Sequence, residues 1–134
     1  MGFRVTGVVS VMIRHKRLIG VDLDNTLAIY DDVFYRVAIE RDLIDEDTPK
    51  KKSAIHDAIF RTDGGEEKWT DLQGWIYGKY MSEARLADGA ADFLGWSKDN
   101  KLSVIVISHK SEFSAKAPHF QLRPPALAWF HRTI

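Results

Sequence analysis

The stretch RLIGVDLDNTLAIY, residues 17–30, decides the fold, because an apolar run in it ends in two aspartates, Asp22 and Asp24. Its apolar part, LIGV, is typical of a strand buried on both faces, as parallel sheets require. Open α/β sheets place their sites at the carboxyl ends of such strands. The two carboxylates are therefore candidate site residues, and the alternative is that they only cap the turn that follows, as Asp often does.

A second strand is predicted in KLSVIVISHK, where four β-branched residues lead into Ser108. Helical spacing of apolar residues predicts four helices between the strands, at about residues 31–44, 48–61, 66–81 and 88–98. Thr48 and Pro49 suit the N-cap and first position of the second helix. A strand, a long helical insertion, a helix and a strand indicate an α/β domain with a small helical cap.

Composition narrows the class of protein. The chain has 134 residues, 45% of them hydrophobic and 28% charged, which fits one globular domain. Lys plus Arg and Asp plus Glu number 19 each, and this zero net charge makes a nucleic-acid partner unlikely. Cysteine is absent, which excludes thiolate chemistry. No run approaches the roughly 20 apolar residues of a membrane span, so we expect no membrane partner and a cytoplasmic location.

The pentapeptide DLDNT at 22–26 resembles the first signature, D-x-D-x-T, of the haloacid dehalogenase (HAD)-like hydrolase superfamily. The resemblance implies a phosphatase-type activity in which Asp22 attacks phosphorus and forms an aspartyl-phosphate. Asp24 would be the general acid and base. Thr26 would stabilise the turn that follows and would be one of the phosphate-binding residues. The implied cofactor is Mg²⁺, with Asp22 and Asp24 as its ligands, and the implied substrate is a small phosphorylated molecule.

The spacing of the two aspartates has a physical reason. Residues i and i+2 of a strand point to the same side, so both carboxylates can reach one ligand. A carboxylate attacks a phosphoryl group only if their negative charges are offset, which a divalent cation does. Mg²⁺ prefers oxygen ligands and one or two protein carboxylates. Asp24 must also hold a proton near neutral pH, which burial and charged neighbours can arrange.

The same resemblance gives roles to residues after the second strand. Ser108 matches the second signature, a hydroxyl that holds the transferring phosphoryl group. The third signature is a lysine or arginine, for which Lys110 is the phosphate-binding candidate, and Lys116 and Arg123 are alternatives. Lys110 and its neighbour His109 could equally be solvated loop residues.

The fourth signature, an acidic pair, is missing, because no Asp or Glu follows Glu112. We therefore expect one partial doubly wound, Rossmann-like HAD domain over 1–134, with core at about 12–27 and 86–134, cap at about 28–85 and the C-terminal part of the core missing. A C-terminally truncated phosphohydrolase, inactive alone, is the favoured interpretation. The alternatives are a short binding or regulatory module, and self-association in which a partner completes the unfinished sheet.

Aromatic residues support two further expectations. A last helix without a sheet to cover would leave Trp129 and Phe130 exposed. A cluster in the predicted cap could form a substrate lid or pack in a core, and helical spacing favours packing; its members are Trp69, Trp75, Tyr77 and Tyr80.

Overall fold

The described residues form a mixed α/β structure with five α-helices and a small sheet that contains one parallel pair. The computed structural model describes residues 2–6, 8–12 and 17–134, with side chains from Arg17 onward, so residues 13–16 of the predicted core lie outside it. The strands are β1 (Gly2–Thr6), β2 (Val8–Met12), β3 (Arg17–Asp22), β4 (Ala28–Ile29), β5 (Arg85–Leu86) and β6 (Leu102–Ile107). The helices are α1 (Asp31–Glu40), α2 (Lys52–Phe60), α3 (Gly65–Gly78), a 3₁₀ turn (Met81–Glu83), α4 (Ala90–Asp99) and α5 (Arg123–Thr133).

The main sheet has the order β1-β2-β6-β3. Strands β3 and β6 are parallel, with Asp22 opposite Ile107, which confirms that both predicted strands exist and end side by side. Strands β1 and β2 form an antiparallel hairpin, and β2 joins β6 through Met12 opposite Ile105. This hairpin was not predicted from the sequence.

Strand β3 differs from its prediction, since it is not buried on both faces. Leu18 is 60% exposed and Val21 is only half-buried. The reason is position: β3 is an edge strand of the described sheet, whereas β6 lies between two strands and against α4. Val104 and Val106 of β6 are accordingly buried.

A large part of the apolar core lies in the helical segment, which we define as residues 31–83. On α1 an apolar face of Val33, Phe34, Val37 and Ala38 is buried, as expected for an amphipathic helix. The two-stranded pair of β4 and β5 brings the ends of the segment together, near the predicted cap boundaries at 28 and 85.

Two helix ends differ from the sequence-based prediction. Helix α1 stops at Glu40 rather than at 44, and Asp42 follows with a left-handed φ of 54°. Helix α2 begins at Lys52 rather than at Pro49, because the Asp31 carboxylate accepts the Lys52 backbone N–H at 2.9 Å. A tertiary contact therefore sets the start of α2.

Two glycines interrupt the apolar pattern of α3 for a packing reason. A Cβ on Gly74 would lie 2.9 Å from the Ser114 Cβ, and one on Gly78 would lie 2.4 Å from the Phe120 Cβ. The connection from β6 to α5, residues 108–122, thus lies directly on the backbone of α3. We call it the β6–α5 loop.

Helix α5 corrects the expectation of exposed aromatics. Trp129 is 1% exposed and Phe130 is 5% exposed. Helix α5 packs against the 3₁₀ turn and α3, and the Trp129 indole donates a hydrogen bond to the Ala84 carbonyl at 2.8 Å. The expectation was wrong because the helical segment, rather than a sheet, covers these rings.

Within the described part of the chain, no helix has both the length and the apolar character needed to cross a membrane.

Candidate active site

The carboxyl ends of β3 and β6 define the site. The Leu23 backbone N–H donates to the Ile107 carbonyl at 3.2 Å, so the two chains leave the sheet together. Beyond Leu23 the chain turns tightly, with Asn25 at a left-handed φ of 62° and its N–H bonded to the Ala28 carbonyl at 2.8 Å. Asparagine tolerates this conformation better than most residues do. The turn holds Asp24 between the sheet and the helical segment.

Asp24 is the centre of a buried polar cluster. The Lys110 Nζ lies 2.9 Å from its Oδ1 and 2.7 Å from its Oδ2. The Tyr30 hydroxyl also donates to Oδ1. The Lys110 side chain is only 4% exposed, whereas that of Asp24 is 26% exposed. Asp24 thus faces solvent on one side and a lysine and a tyrosine on the other.

Tyr77 links Lys110 to a second lysine. The Lys110 Nζ lies 4.0 Å from the centre of the Tyr77 ring, a cation–π distance. The Lys52 Nζ donates to the Tyr77 hydroxyl and lies 5.4 Å from the centre of the Phe34 ring. Two ammonium groups therefore approach one tyrosine, and only Lys110 has a carboxylate partner in this cluster.

Burial shifts the pKa values of these groups. Desolvation lowers the pKa of Lys110, although the adjacent Asp24 acts in the opposite direction. Desolvation likewise lowers the pKa of Lys52; the charge of Asp24 acts in the opposite direction, and the charge of Lys110 adds to the lowering. Burial, followed by the charge of Asp24, raises the pKa values of Tyr30 and Tyr77. The phenols are held neutral, and an additional anion would stabilise both ammonium groups.

The structure distributes the other predicted site residues around this cluster. Asp22 is exposed at the end of β3, and its carboxylate makes no hydrogen bond or salt bridge with residues 17–134. Ser108 is 1% exposed, and within the described chain its hydroxyl has no hydrogen-bond partner. Thr26 is exposed on the turn. Asp24 and Lys110 form an ion pair, whereas no side-chain hydrogen bond or ion pair among residues 17–134 joins the other three to them.

The contacts of the three candidates for the phosphate-binding basic residue differ. Lys110 binds Asp24, whereas Lys116 lies 3.6 Å from Glu67 in an exposed pair. Arg123 donates from Nε to the Lys110 carbonyl at 3.4 Å, so it supports the backbone that carries the lysine. Lys110 is therefore the candidate that the fold brings to the aspartates.

Two clefts adjoin the cluster. The first has a volume of about 250 Å³, and its lining includes Asp24, Lys110, Tyr77 and His109. The second, of about 580 Å³, lies against α2, and its lining includes Asn25. Gln73 lines both clefts. Asp22, Ser108 and Thr26 line neither of them.

The acidic residues allow a limited test for Mg²⁺. No three His, Asp or Glu side chains within the described residues are grouped so as to hold a metal ion. Both oxygens of Asp24 face the Lys110 ammonium, which leaves the exposed Asp22 as the available carboxylate. Mg²⁺ keeps several waters and is commonly held by one or two carboxylates plus substrate phosphates. The residues therefore fit a Mg²⁺ ion that binds together with a phosphate group better than they fit a permanently bound Mg²⁺ ion.

Three residues of the cluster were not predicted from sequence: Tyr30, Lys52 and Tyr77 had no assigned role in phosphate binding. Tyr77 belonged to the aromatic cluster for which packing was favoured. Packing is confirmed for Trp69, which is 7% exposed and stacks on Phe34 at 5.1 Å, whereas Tyr77 lines the first cleft. No sequence signal indicated Lys52.

Comparisons with protein-family models, curated proteins and solved structures give no match to this chain.

Proposed function

We propose that this chain carries the nucleophile and the phosphate-binding part of a Mg²⁺-dependent phosphohydrolase of the HAD-like type. The observation that carries the proposal is the Lys110–Asp24 ion pair. It joins residues 86 positions apart, beside the carboxyl ends of two parallel strands. A buried lysine on an aspartate at this position suits a site that receives and releases phosphate.

In the proposed reaction Asp22 is the nucleophile because its carboxylate is exposed at the strand end. A bond forms between an Asp22 oxygen and phosphorus, and the bond between phosphorus and the ester oxygen breaks. Asp24 gives its proton to that leaving oxygen. Water then attacks the aspartyl-phosphate, Asp24 takes the proton from the water, and inorganic phosphate leaves.

The Lys110–Asp24 pair suggests how proton transfer is prepared. In the structure both Asp24 oxygens contact the Lys110 ammonium. A bound phosphate would compete for that ammonium and free the Asp24 oxygens to exchange a proton with the leaving group and with water. Tyr30 keeps the carboxylate oriented meanwhile. When bound, Mg²⁺ would be held by Asp22 together with the substrate phosphate, because Lys110 engages both Asp24 oxygens, and it would offset the charges of phosphate and nucleophile.

Ser108 and Thr26 complete the proposed phosphate site. The buried Ser108 hydroxyl has unused hydrogen-bonding capacity, which is unusual for a buried polar group. A phosphate oxygen would satisfy it after a small shift of the strand end. Thr26 lies on the turn after Asp24, with its side chain accessible to a ligand.

A second candidate function is anion binding without turnover. It is favoured by the engagement of both Asp24 oxygens by Lys110 and by the lack of a third acidic ligand among the described residues. Such a module would hold a phosphate group through Lys110 but would not cleave its ester.

Phosphate release from an aryl phosphate with and without Mg²⁺ distinguishes the two candidates. The Asp22→Asn variant should lose activity by about 1,000-fold or more, because the nucleophile is removed. Asp99→Asn is the matched control, since Asp99 is exposed at the end of α4. No Mg²⁺-dependent release by the wild-type chain, together with phosphate binding that Lys110→Gln abolishes, would favour the binding module.

A further inference from the structure

The second cleft has a basic lining that the proposed reaction does not use. Lys51, Lys52 and His56 of the α2 region line it, and Trp69 contributes an aromatic wall. Asp31 is the acidic residue in the lining, and its carboxylate already accepts the Lys52 backbone N–H. The cleft thus has positive charge in excess of negative charge.

Lys52 is the most informative residue of this lining. Its side chain is half-buried, its Nζ donates to the Tyr77 hydroxyl, and it makes no salt bridge with residues 17–134. Placing an ammonium group against aromatic rings without a carboxylate partner costs solvation free energy. Burial accordingly lowers the pKa of Lys52. The charges of Asp24 and Asp31 act on Lys52 without a salt bridge to it among residues 17–134, so a bound anion would supply a direct partner.

The two clefts are adjacent and share their boundary. Asp24 lines the first and Asn25 the second, while Gln73 lines both. Tyr77 lies between the two lysines, with its ring under Lys110 and its hydroxyl on Lys52. A single molecule could therefore contact Lys110 with one anionic group and Lys52 with another.

The geometry points to a substrate class: a small phosphate ester that carries a second anionic group, with the ester phosphate at Lys110 and the second anion at Lys51 and Lys52. The reaction it undergoes rests on the proposed phosphohydrolase function, but the binding preference does not. The shared chemistry is a second negative charge, which a carboxylate or a second phosphate can provide.

Binding to the full chain is measured by calorimetry with three probes of equal carbon number. Glycerol 3-phosphate has one anionic group, 3-phosphoglycerate adds a carboxylate, and glycerol 1,3-bisphosphate adds a phosphate. We expect at least one of the doubly anionic probes to bind about tenfold more tightly than glycerol 3-phosphate. Whichever is preferred identifies the source of the second charge.

The preference should depend on the lysines of α2. Lys52→Gln should reduce it to about twofold or less. Lys51→Gln, at an exposed position, is the second variant in case Lys52→Gln fails to fold, and it should reduce the preference in the same direction. Lys98→Gln is the control, because Lys98 is exposed on α4 and lines neither cleft.

The outcomes separate this inference from the proposed function. Equal affinity for all three probes, or a preference that survives in both Lys51→Gln and Lys52→Gln, would overturn the inference even if the probes are hydrolysed. A lysine-dependent preference without hydrolysis would support the inference and count against turnover by this chain.

Discussion

Phe34, Leu72 and Ile76 of the helical segment are fully shielded from solvent, whereas Leu18 on strand β3 is 60% exposed. Both regions are rich in apolar residues, yet only one buries them. The helices α1, α2 and α3 contact one another on several sides, while β3 pairs with β6 along one edge of the described sheet. The cluster of Asp24, Lys110 and Tyr77 lies between these regions. The position of the site residues therefore depends on contacts between the well-packed helical segment and the end of the partly exposed strand β3.

Substitutions in the two regions test this difference most directly. Phe34→Ala should lower the free energy of unfolding by about 3–5 kcal/mol, because it empties a fully buried ring position. Leu18→Ala should change it by less than about 0.5 kcal/mol. Urea denaturation followed by circular dichroism measures both. Similar costs at the two positions would show that β3 is covered in solution.

The junction between α3 and the β6–α5 loop gives a smaller effect. Gly74→Ala should destabilise by about 1–2 kcal/mol, because its Cβ would meet the Ser114 Cβ at 2.9 Å and outweigh the gain in helix propensity. Phosphate binding should also weaken, since the displaced loop carries Lys110. Thermal unfolding and phosphate titration report the two effects.

Gly95→Ala is the matched control on α4, where a Cβ would meet nothing within 4 Å. It should stabilise the chain by about 0.5–1 kcal/mol through helix propensity alone. A stabilised Gly74→Ala variant would contradict the close approach of the loop.

The smallest effect concerns pH and Tyr77. Its pKa is raised from 10.0 by burial, so the stability that its neutral form contributes is present below pH 10 and is lost as pH rises above it. The lowered pKa values of Lys52 and Lys110 act oppositely, but both lysines remain in a Tyr77→Phe variant. Between pH 10 and pH 11, the free energy of unfolding of the wild type should fall by about 1 kcal/mol relative to that of the variant. A constant difference in denaturant midpoints would argue against burial of the phenol.

The sequence was sufficient to place Asp24 and Lys110 near each other. Each residue follows an apolar run that predicts a strand, and parallel strands end at the same edge of a sheet. Residues just after the two strand ends are therefore expected to lie close together, and this expectation requires no knowledge of side-chain contacts. The four predicted helices were present for a similar reason, since apolar periodicity is local information. Neither inference required knowledge of the tertiary packing.

Other features depend on tertiary packing and could not be read locally. The run at 18–21 has the same composition whether one or two faces are covered, so the exposure of Leu18 follows only from sheet order. The start of α2 depends on Asp31 of another helix. Tyr30 and Lys52 reach the site only because α1, α2 and α3 pack together. The assignment of Mg²⁺ and the phosphohydrolase activity remain predictions.

The hydrogen bond from Trp129 to the Ala84 carbonyl has a consequence for biosynthesis. Its partners are 45 residues apart, and the helical segment precedes both α5 and β6 in the chain. At about 5–20 residues per second, a ribosome takes about 2–9 s to make the intervening chain. During that interval the edge at Met81 and Ala84 lacks its cover, so a nascent chain would present an apolar surface there until α5 emerges.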